Sequence, residues 1–546
     1  MMKKNININK SIKHISFSIA MLSNLFSISS CRSAEHDNIV VVGGIAAVKI
    51  NLLGSDYASG KSSNQANLKE MGLPVNGNVQ RQSKMITPSL FFEAELAPSN
   101  NDAKKSGNTS AESSALVAGD QIGAGMKFRI IAYKQDDNSY QAHQDYTVGE
   151  QAQPLMLDSG KAYTIIAYSY GSTSALPEIS TGEMTNLSQA QIDYDDNNKD
   201  LMYQKTEGFI PDGNNPNNKV DIKLRHKLSQ ITTVINSYIG NISEISWADL
   251  RPHHPQGVLS LSNGTMSRTY ESTERLNFSG SFPTTTATAN PVLINADTGG
   301  SLTGLFSANL TVSGTVNKTI DLPNIFKITP EYKSKLTINL RKCGAYFGPN
   351  DTQWKEFMCQ NLGATEGIDP FSPEAGNHGA KYQWGAQTGE AGRYISQSDD
   401  QSNSGSISGW NSTLKPVGSW SDTNKTANDP CPSGYRVPTD NQWMDLVYNT
   451  NILDNLERIG SWINDNTNYT TAIYFRTSSK IRTLMLPTAG YRDGLYGDLK
   501  QRGNGGYYWS SSGSPGRYHF LGFNKDIMFG SAREMNIGIS VRCIAE

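Results

Sequence analysis

The chain is 546 residues long and sets 48 Lys and Arg against 50 Asp and Glu, for a formal charge of −2 at pH 7. That length exceeds one ordinary domain, so two to four domains are expected. The near balance of charge leaves no basic field for nucleic acid and no acidic tail, so nothing electrostatic points to a ligand.

In chain order, "MMKKNININKSIKH" is a basic leader, "ISFSIAMLSNLF" a short apolar run, and "SISSC" ends in Cys31. The apolar run is too short to remain as a membrane span, so residues 1–30 read as a signal segment. Ile28, Ser29 and Ser30 ahead of Cys31 resemble a bacterial lipobox, which makes Cys31 the expected lipidated residue and a lipid anchor the expected tether of the precursor. An early strand follows in "GIAAVKINLLGSD". Residues 58–83 and 98–118 are polar with few apolar anchors and are expected to be long loops.

The next stretch is rich in strand patterns. "GMKFRIIAYK" and "KAYTIIAYSYG" are β-rich runs bounded by turn chemistry in "QDDNS" and "LDSG". In "VDIKLRHKL", Val220, Ile222, Leu224, His226 and Leu228 share one face while charged residues share the other, the period of a half-buried strand. His226 reads as a strand-face histidine with a hydrogen bond. More short strands run from "GVLSLSNGTM" to "KSKLTINLRK", with "SNG" and "SGTVN" as turns. The pattern predicts antiparallel β-sandwiches.

Composition changes near residue 343. Of 8 tryptophans only Trp247 precedes that point. Cys343, Cys359, Cys431 and Cys543 all lie beyond it, an even set in an exported chain and hence a disulfide framework. No C-x-x-C occurs, His253 and His254 sit between prolines in "RPHHPQG", and no metal site or cofactor is expected. In "DPCPSGYRVPTDNQWMDLV", Thr439 and Gln442 form a capping box that starts a helix, with Trp443, Leu446 and Val447 on its inner stripe. "GISVRCIAE" alternates Ile539, Val541 and Cys543 inward as a final strand, Gly538 to Glu546. Cys431 is expected to bond Cys543, leaving Cys343 and Cys359 to each other, although four cysteines permit three pairings.

The segment from Tyr491 to Phe520, "YRDGLYGDLKQRGNGGYYWSSSGSPGRYHF", is the expected ligand region, because Tyr and Trp offer flat apolar faces with polar edges. Tyr491, Tyr496, Arg502, Tyr507, Arg517 and His519 are its candidates. Trp509 reads as core, and Asp493 and Asp498 read as turn residues in preference to a carboxylate pair or calcium ligands. There is no G-x-S-x-G elbow, H-E-x-x-H or Walker loop, and no catalytic residue is assigned.

Over residues 31–340 the lipobox, "GIAAVKINLLGSD", "GMKFRIIAYKQDDNSYQAHQDYTVG", "LMLDSGKAYTIIAYSYG", "LMYQK" and "LRHKLSQITTVI" together resemble the fimbrillin family of Bacteroidota type V pili. That resemblance implies two transthyretin-like sandwiches, export as an outer-membrane lipoprotein, and assembly into a fimbrium at the cell surface by donor-strand exchange with other fimbrillin subunits after a protease frees the first strand. The strand that leaves is expected within Ala46 to Tyr57, with Val48, Ile50 and Leu52 on one face, and Arg81 in "VQRQSKM" is the candidate cut site.

From residue 343 onward, "WKEFMCQNLGA", "KYQWGAQTG", "DPCPSGYRVPTDNQW", "LPTAGYRDG", "GGYYWSSS" and "ISVRC" resemble the Fibrobacter succinogenes major paralogous (FISUMP) domain. "GYRVPTDNQW" also resembles the formylglycine-generating sulfatase modifiers, which implies a C-type-lectin-like α+β fold. The expected organisation is thus a signal peptide (1–30), a fimbrillin-like sandwich (31–245), a second sandwich (246–342) and a FISUMP domain (343–546), mostly β plus α+β. The expected function is that of a non-enzymatic pilus subunit, a tip adhesin that accepts a donor strand and binds a surface glycan or protein of host or bacterium. A tip position is expected because the last strand is expected to be committed to its own domain, leaving none to donate. The alternatives are a non-polymerising outer-membrane lipoprotein and a secreted enzyme on a sulfatase-modifier-like scaffold.

Overall fold

A computed structural model describes residues 44–58, 79–99, 120–198, 200–312, 316–347, 352–448, 452–533 and 536–546. The leader, Cys31 and most of the two polar stretches lie outside them. The fold is mostly β.

The first sandwich centres on a seven-stranded sheet ordered Tyr140–Thr147, Lys127–Lys134, Tyr163–Ser169, Met202–Phe209, Lys219–His226, Ile45–Asp56 and Leu155–Asp158. Lys127–Lys134 and Tyr163–Ser169 do not alternate, because both of their faces are covered. Phe128, Ile130 and Ala132 enter one core with Val48, Leu157, Ile222 and Leu224. Ile131 and Tyr133 enter another, shared with Ile192, Tyr194 and Leu259 of a three-stranded sheet and with Leu261 just beyond it. Lys219–His226 does alternate, as its sequence predicts. His226 meets Asp200 Oδ1 at 2.6 Å and Ser55 Oγ at 3.2 Å, and stacks on Tyr57 with ring centroids 4.1 Å apart.

The second sandwich sets a six-stranded sheet, which includes Ser229–Ser237, Lys333–Lys342, Leu90–Pro98 and Gln80–Thr87, against a four-stranded one containing Ile242–His253, Gly304–Val312 and Val316–Phe326. Phe92, Leu96, Ile235, Leu250, Phe306 and Leu310 fill the space between them. The expected division at 246 falls inside the strand Ile242–His253. The two units are not consecutive segments either. The hairpin at 80–98 belongs to the second sandwich, although it lies between the first and second strands of the large sheet. Register decides this: Leu90 to Pro98 pairs residue by residue with Lys342 back to Ser334, a partner that local pattern cannot name.

Part of the polar stretch 58–83 is therefore strand, not loop, and Arg81 is a strand residue. It lies on the sheet edge, paired with Glu95 Oε2 at 2.7 Å. The neighbouring Gln80 side chain holds Lys327 by two backbone hydrogen bonds, at 2.6 and 3.3 Å.

The tip of the same hairpin seats the C-terminal domain. Cys343 N donates to Ser89 O at 2.7 Å, Cys359 N donates to Pro88 O at 2.6 Å, and the Tyr435 hydroxyl donates to Ser89 Oγ at 2.6 Å. Ser83 N donates to Asp369 Oδ2 at 3.0 Å, which caps an amide of the open edge. The two disulfides are Cys343–Cys359 and Cys431–Cys543. The helix Asp440–Val447 starts at Thr439 with both bonds of the capping box, and buries Trp443 and Leu446. The chain end departs from a regular strand. Ile539, Val541 and Cys543 are buried as the alternation predicts, but Ser540 and Arg542 are buried too, and only Ile544–Ala545 forms a ladder, with Tyr435–Arg436. Backbone bridges from Tyr382, Arg492 and Tyr508 enclose the segment on both sides, so it has no outward face.

Candidate functional site

A cleft of about 550 Å³ opens in the C-terminal domain beside the three-stranded sheet Gly506–Ser514, Arg517–Phe523 and Met528–Arg533. Cross-strand partners share a face, so the register that sets Tyr507 opposite Gly522 and Tyr518 opposite Arg533 puts Tyr507, Phe520 and Arg533 on one side of the sheet. Phe520 is the buried floor. The rings of Tyr507 and Tyr491 meet edge to face at 5.2 Å, and Phe520 lies 5.9 Å from Tyr507. Gly522, across from Tyr507, lets the Phe529 ring pack against the backbone, where a Cβ would come within 2.6 Å of it.

The rest of the wall carries the polar side chains of Asp493, Gln501, Arg517 and Arg533 beside Ala532 and Ile537. The Tyr507 hydroxyl donates to Gln501 Oε1. Burial pushes the Tyr507 phenol up, so it stays a neutral donor at physiological pH. Gln501 holds φ +58°, a left-handed conformation that only Gly adopts without cost, and its carbonyl accepts from Gly505 N at 2.9 Å to close the turn. Asp493 is engaged by its own turn: Oδ1 accepts from the amides of Tyr496 at 2.9 Å, Leu495 at 3.0 Å and Gly497 at 3.2 Å. Partial burial works against its charge, yet those three amides and Lys500 hold the carboxyl below its usual range. Asp493 and Asp498 both face Lys500, at 3.9 and 3.6 Å, as turn residues do. Arg517 and Arg533 are exposed, and among the described residues neither has an ion-pair partner.

The six candidates from sequence divide. Tyr491, Tyr507 and Arg517 line the cleft. Tyr496 is exposed but stands outside it. His519 faces the other side of the sheet and meets Asp440 Oδ2 of the capped helix at 3.0 Å. Arg502 is buried, contrary to the exposure expected of a ligand residue. It serves a network around Asp400, whose carboxylate meets Arg502 Nη2 at 2.5 Å, Arg492 Nε at 2.8 Å and Lys381 Nζ at 3.4 Å, all four side chains being at most 1% exposed. Burial, with the two arginines adding to it, brings Lys381 down to about 8. Burial opposes charge on Asp400 as well, but the three cations win and hold its carboxyl low. Gln501 and Arg533 escaped the sequence reading: "KQRG" carries no mark of an αL turn, and Arg533 reaches the cleft only through the pairing of its strand with Tyr518.

Asp196, His253 and Glu274 converge elsewhere, His253 and Glu274 from the four-stranded sheet of the second sandwich and Asp196 from just past the end of the strand Gln191–Asp195. His253 Nδ1 accepts from Asn295 N at 3.3 Å, so the neutral ring carries its proton on Nε2 and donates to Asp196 Oδ1 at 3.0 Å. A nitrogen that donates cannot also ligate a metal ion, and the cluster is a satisfied hydrogen-bond group. All four C-terminal cysteines are buried in disulfides. Trp509 is core, donating from Nε1 to Tyr382 O at 2.7 Å.

No curated protein matches the chain. Among solved structures it is similar to a candidate cell adhesion protein of Bacteroides uniformis (16% identity, TM-score 0.29, covering 40% of this chain and 90% of that one). It is also similar to the tip fimbrial protein Mfa3 of Porphyromonas gingivalis with a C-terminal truncation (9%, 0.27, 40% and 92%). A fimbrial assembly protein of Parabacteroides distasonis is a third (10%, 0.25, 42% and 86%). Residues 337–545 match the Fibrobacter succinogenes major domain family, and the chain therefore carries that domain at its C-terminal end.

Proposed function

We propose that this protein is a cell-surface, pilus-associated adhesin whose first sandwich accepts a donor strand and whose C-terminal domain binds the ligand. The observation that carries this reading is the place of the strand Ile45–Asp56. It lies inside the large sheet, antiparallel to Leu155–Asp158 through its first residues and parallel to Lys219–His226 through the rest. Ala46 and Val48 are buried, with Ile50 and Leu52 packed against the same core. Withdrawing that strand leaves a slot with two hydrogen-bonding edges and a row of alternate pockets, which is what strand addition requires. It enters the sheet from the early part of the chain, so a cut after Asp56 frees it without unthreading the rest.

Arg81 is a poor place for that cut. It is zipped to the 90–98 strand beside the pinned Gln80, and a protease needs several residues pulled free of the ladder. Cleavage in the segment 59–78 is the better reading. Lipidation at Cys31 would hold the precursor at the outer membrane, and Cys31→Ala is expected to abolish palmitate labelling. A domain that carries a ligand cleft works best where the filament ends, which favours a tip position.

The test is strand exchange. A specific protease site is placed within 59–78, the protein is cut, and a fluorescent peptide of sequence IAAVKINLLGSD is added. Uptake into a heat-stable complex, with none for a scrambled peptide, supports the reading. A cut protein that keeps its own strand and takes up no peptide, on purified filaments that lack it by immunogold, leaves a non-polymerising surface lipoprotein.

A further inference from the structure

We propose that the C-terminal cleft selects an acidic sugar, a saccharide unit carrying a carboxylate or sulfate, with Arg517 and Arg533 as the residues that choose it. The inference rests on reading the C-terminal domain as the binding part and names its ligand class. Three observations meet in one place. The corner formed by Tyr491 and Tyr507 above Phe520 offers a flat apolar surface with hydroxyl edges, the shape that suits a pyranose ring with one apolar face and polar rims. Gln501 is held in its αL turn by the Gly505 amide and lies beside the Tyr507 hydroxyl, so a strained backbone position fixes an amide at the wall of the cleft.

The charge of the wall is the third observation. Its lining carries Arg517 and Arg533 against the single carboxylate of Asp493, for a net of +1. That carboxylate is spent on three turn amides. Both guanidiniums therefore have their donors available, and a planar five-donor fork matches carboxylate or sulfate far better than it matches a neutral hydroxyl. An acidic peptide would satisfy the arginines but leaves the two-ring corner without a ring to stack on it, and for that reason the sugar is favoured.

The full-length protein is titrated calorimetrically with tetragalacturonic acid, 3′-sialyllactose and a heparin tetrasaccharide. The neutral counterparts of the first two, fully methyl-esterified tetragalacturonate and lactose, and the peptide tetraglutamate complete the set. At least one acidic saccharide is expected to bind about tenfold or more tighter than its neutral counterpart, and more weakly as salt rises. Arg517→Gln and Arg533→Gln, both at exposed positions and safe for folding, are each expected to weaken it by about fivefold to tenfold, and Arg517→Lys to restore only part. Equal binding of neutral sugars, indifference to both arginine variants, binding of tetraglutamate alone, or binding of none of the probes each overturns the inference. Adhesion of whole cells that is lost with Tyr507→Ala, alongside failure of every acidic probe, would leave the adhesin reading standing and remove only the acidic class.

Discussion

Arg129 in the first sandwich and Arg492 in the C-terminal domain are both buried, yet they are satisfied in different ways. Arg129 forks onto both oxygens of Asp145, at 2.6 and 2.8 Å, a residue directly across the ladder whose side chain stays 46% exposed. Arg492 reaches Asp400, 92 residues away, in a site closed to water and shared with Arg502 and Lys381. Long strands satisfy their own backbone, so a sandwich needs polar side chains only near its rim. The C-terminal domain has short strands and long loops, and its buried backbone carbonyls must be met by side chains. Arg542 shows this without any carboxylate: it donates to Cys359 O at 3.0 Å and to Asn361 Oδ1 at 2.8 and 3.1 Å, and burial lowers it to about 10. One region is held by sheet, the other by cross-links of sulfur and charge.

Tryptophan fluorescence tests this contrast, since all but Trp247 of the 8 tryptophans lie in the C-terminal domain and report on it almost alone. The largest effect is expected from Cys431→Ser with Cys543→Ser. The bridge spans 112 residues, and opening it costs roughly 5 kcal/mol at most in the chain-entropy view, read as a fall in the denaturant midpoint of the fluorescence transition. Asp400→Asn leaves three buried cations facing an amide and is expected to cost about 4 kcal/mol in the same transition, with the far-ultraviolet β signal of the sandwiches melting where it did before. A single coincident shift of both signals would show instead that the whole chain unfolds as one unit.

Ile222→Ala reverses the comparison. Ile222 lies opposite Leu52 of the first strand and is fully buried, so its loss is expected to cost about 3 kcal/mol in the β signal with little change in fluorescence. It also loosens the strand that the exchange assay follows. Lys381→Met is expected to stabilise the C-terminal domain by about 2 kcal/mol at pH 7, because Lys381 is a surplus cation that burial brings from its usual 10.5 to about 8. Between those two values the unfolded chain holds the extra proton, so the wild type gains stability as pH rises through the window. The advantage of the Met variant is therefore expected to shrink from pH 7 to pH 10, and an advantage that grows with pH would reject the assignment. The smallest effect is expected from Thr439→Ala, about 1 kcal/mol for the lost cap of the Asp440–Val447 helix.

Local chemistry is what could be read without the structure. The capping box at Thr439 and Gln442 involves residues three apart, and the alternation in Lys219–His226 needs only the geometry of one strand, so both follow from neighbours in the chain. The inward set Ile539, Val541 and Cys543 follows in the same way. The assignments that failed each depended on a partner beyond the reach of local periodicity. Arg81 turned from loop to strand because Glu95 and the ladder at 90–98 receive it, and Arg502 went from rim to core because Asp400, far earlier in the chain, brings a carboxylate to it.

Sequence alone determined the period of each strand, the start of the helix, the Trp- and Cys-rich character of the last two hundred or so residues and the aromatic content of the ligand region. Tertiary structure decided that the 80–98 hairpin crosses into the second sandwich and seats the C-terminal domain, and that Arg533 joins Tyr507 in one cleft while His519 turns away. The physical reason is the range of the interactions. Periodicity and capping are set by covalent geometry within a few residues, whereas register and burial of charge are settled only when segments hundreds of residues apart compete for the same partners.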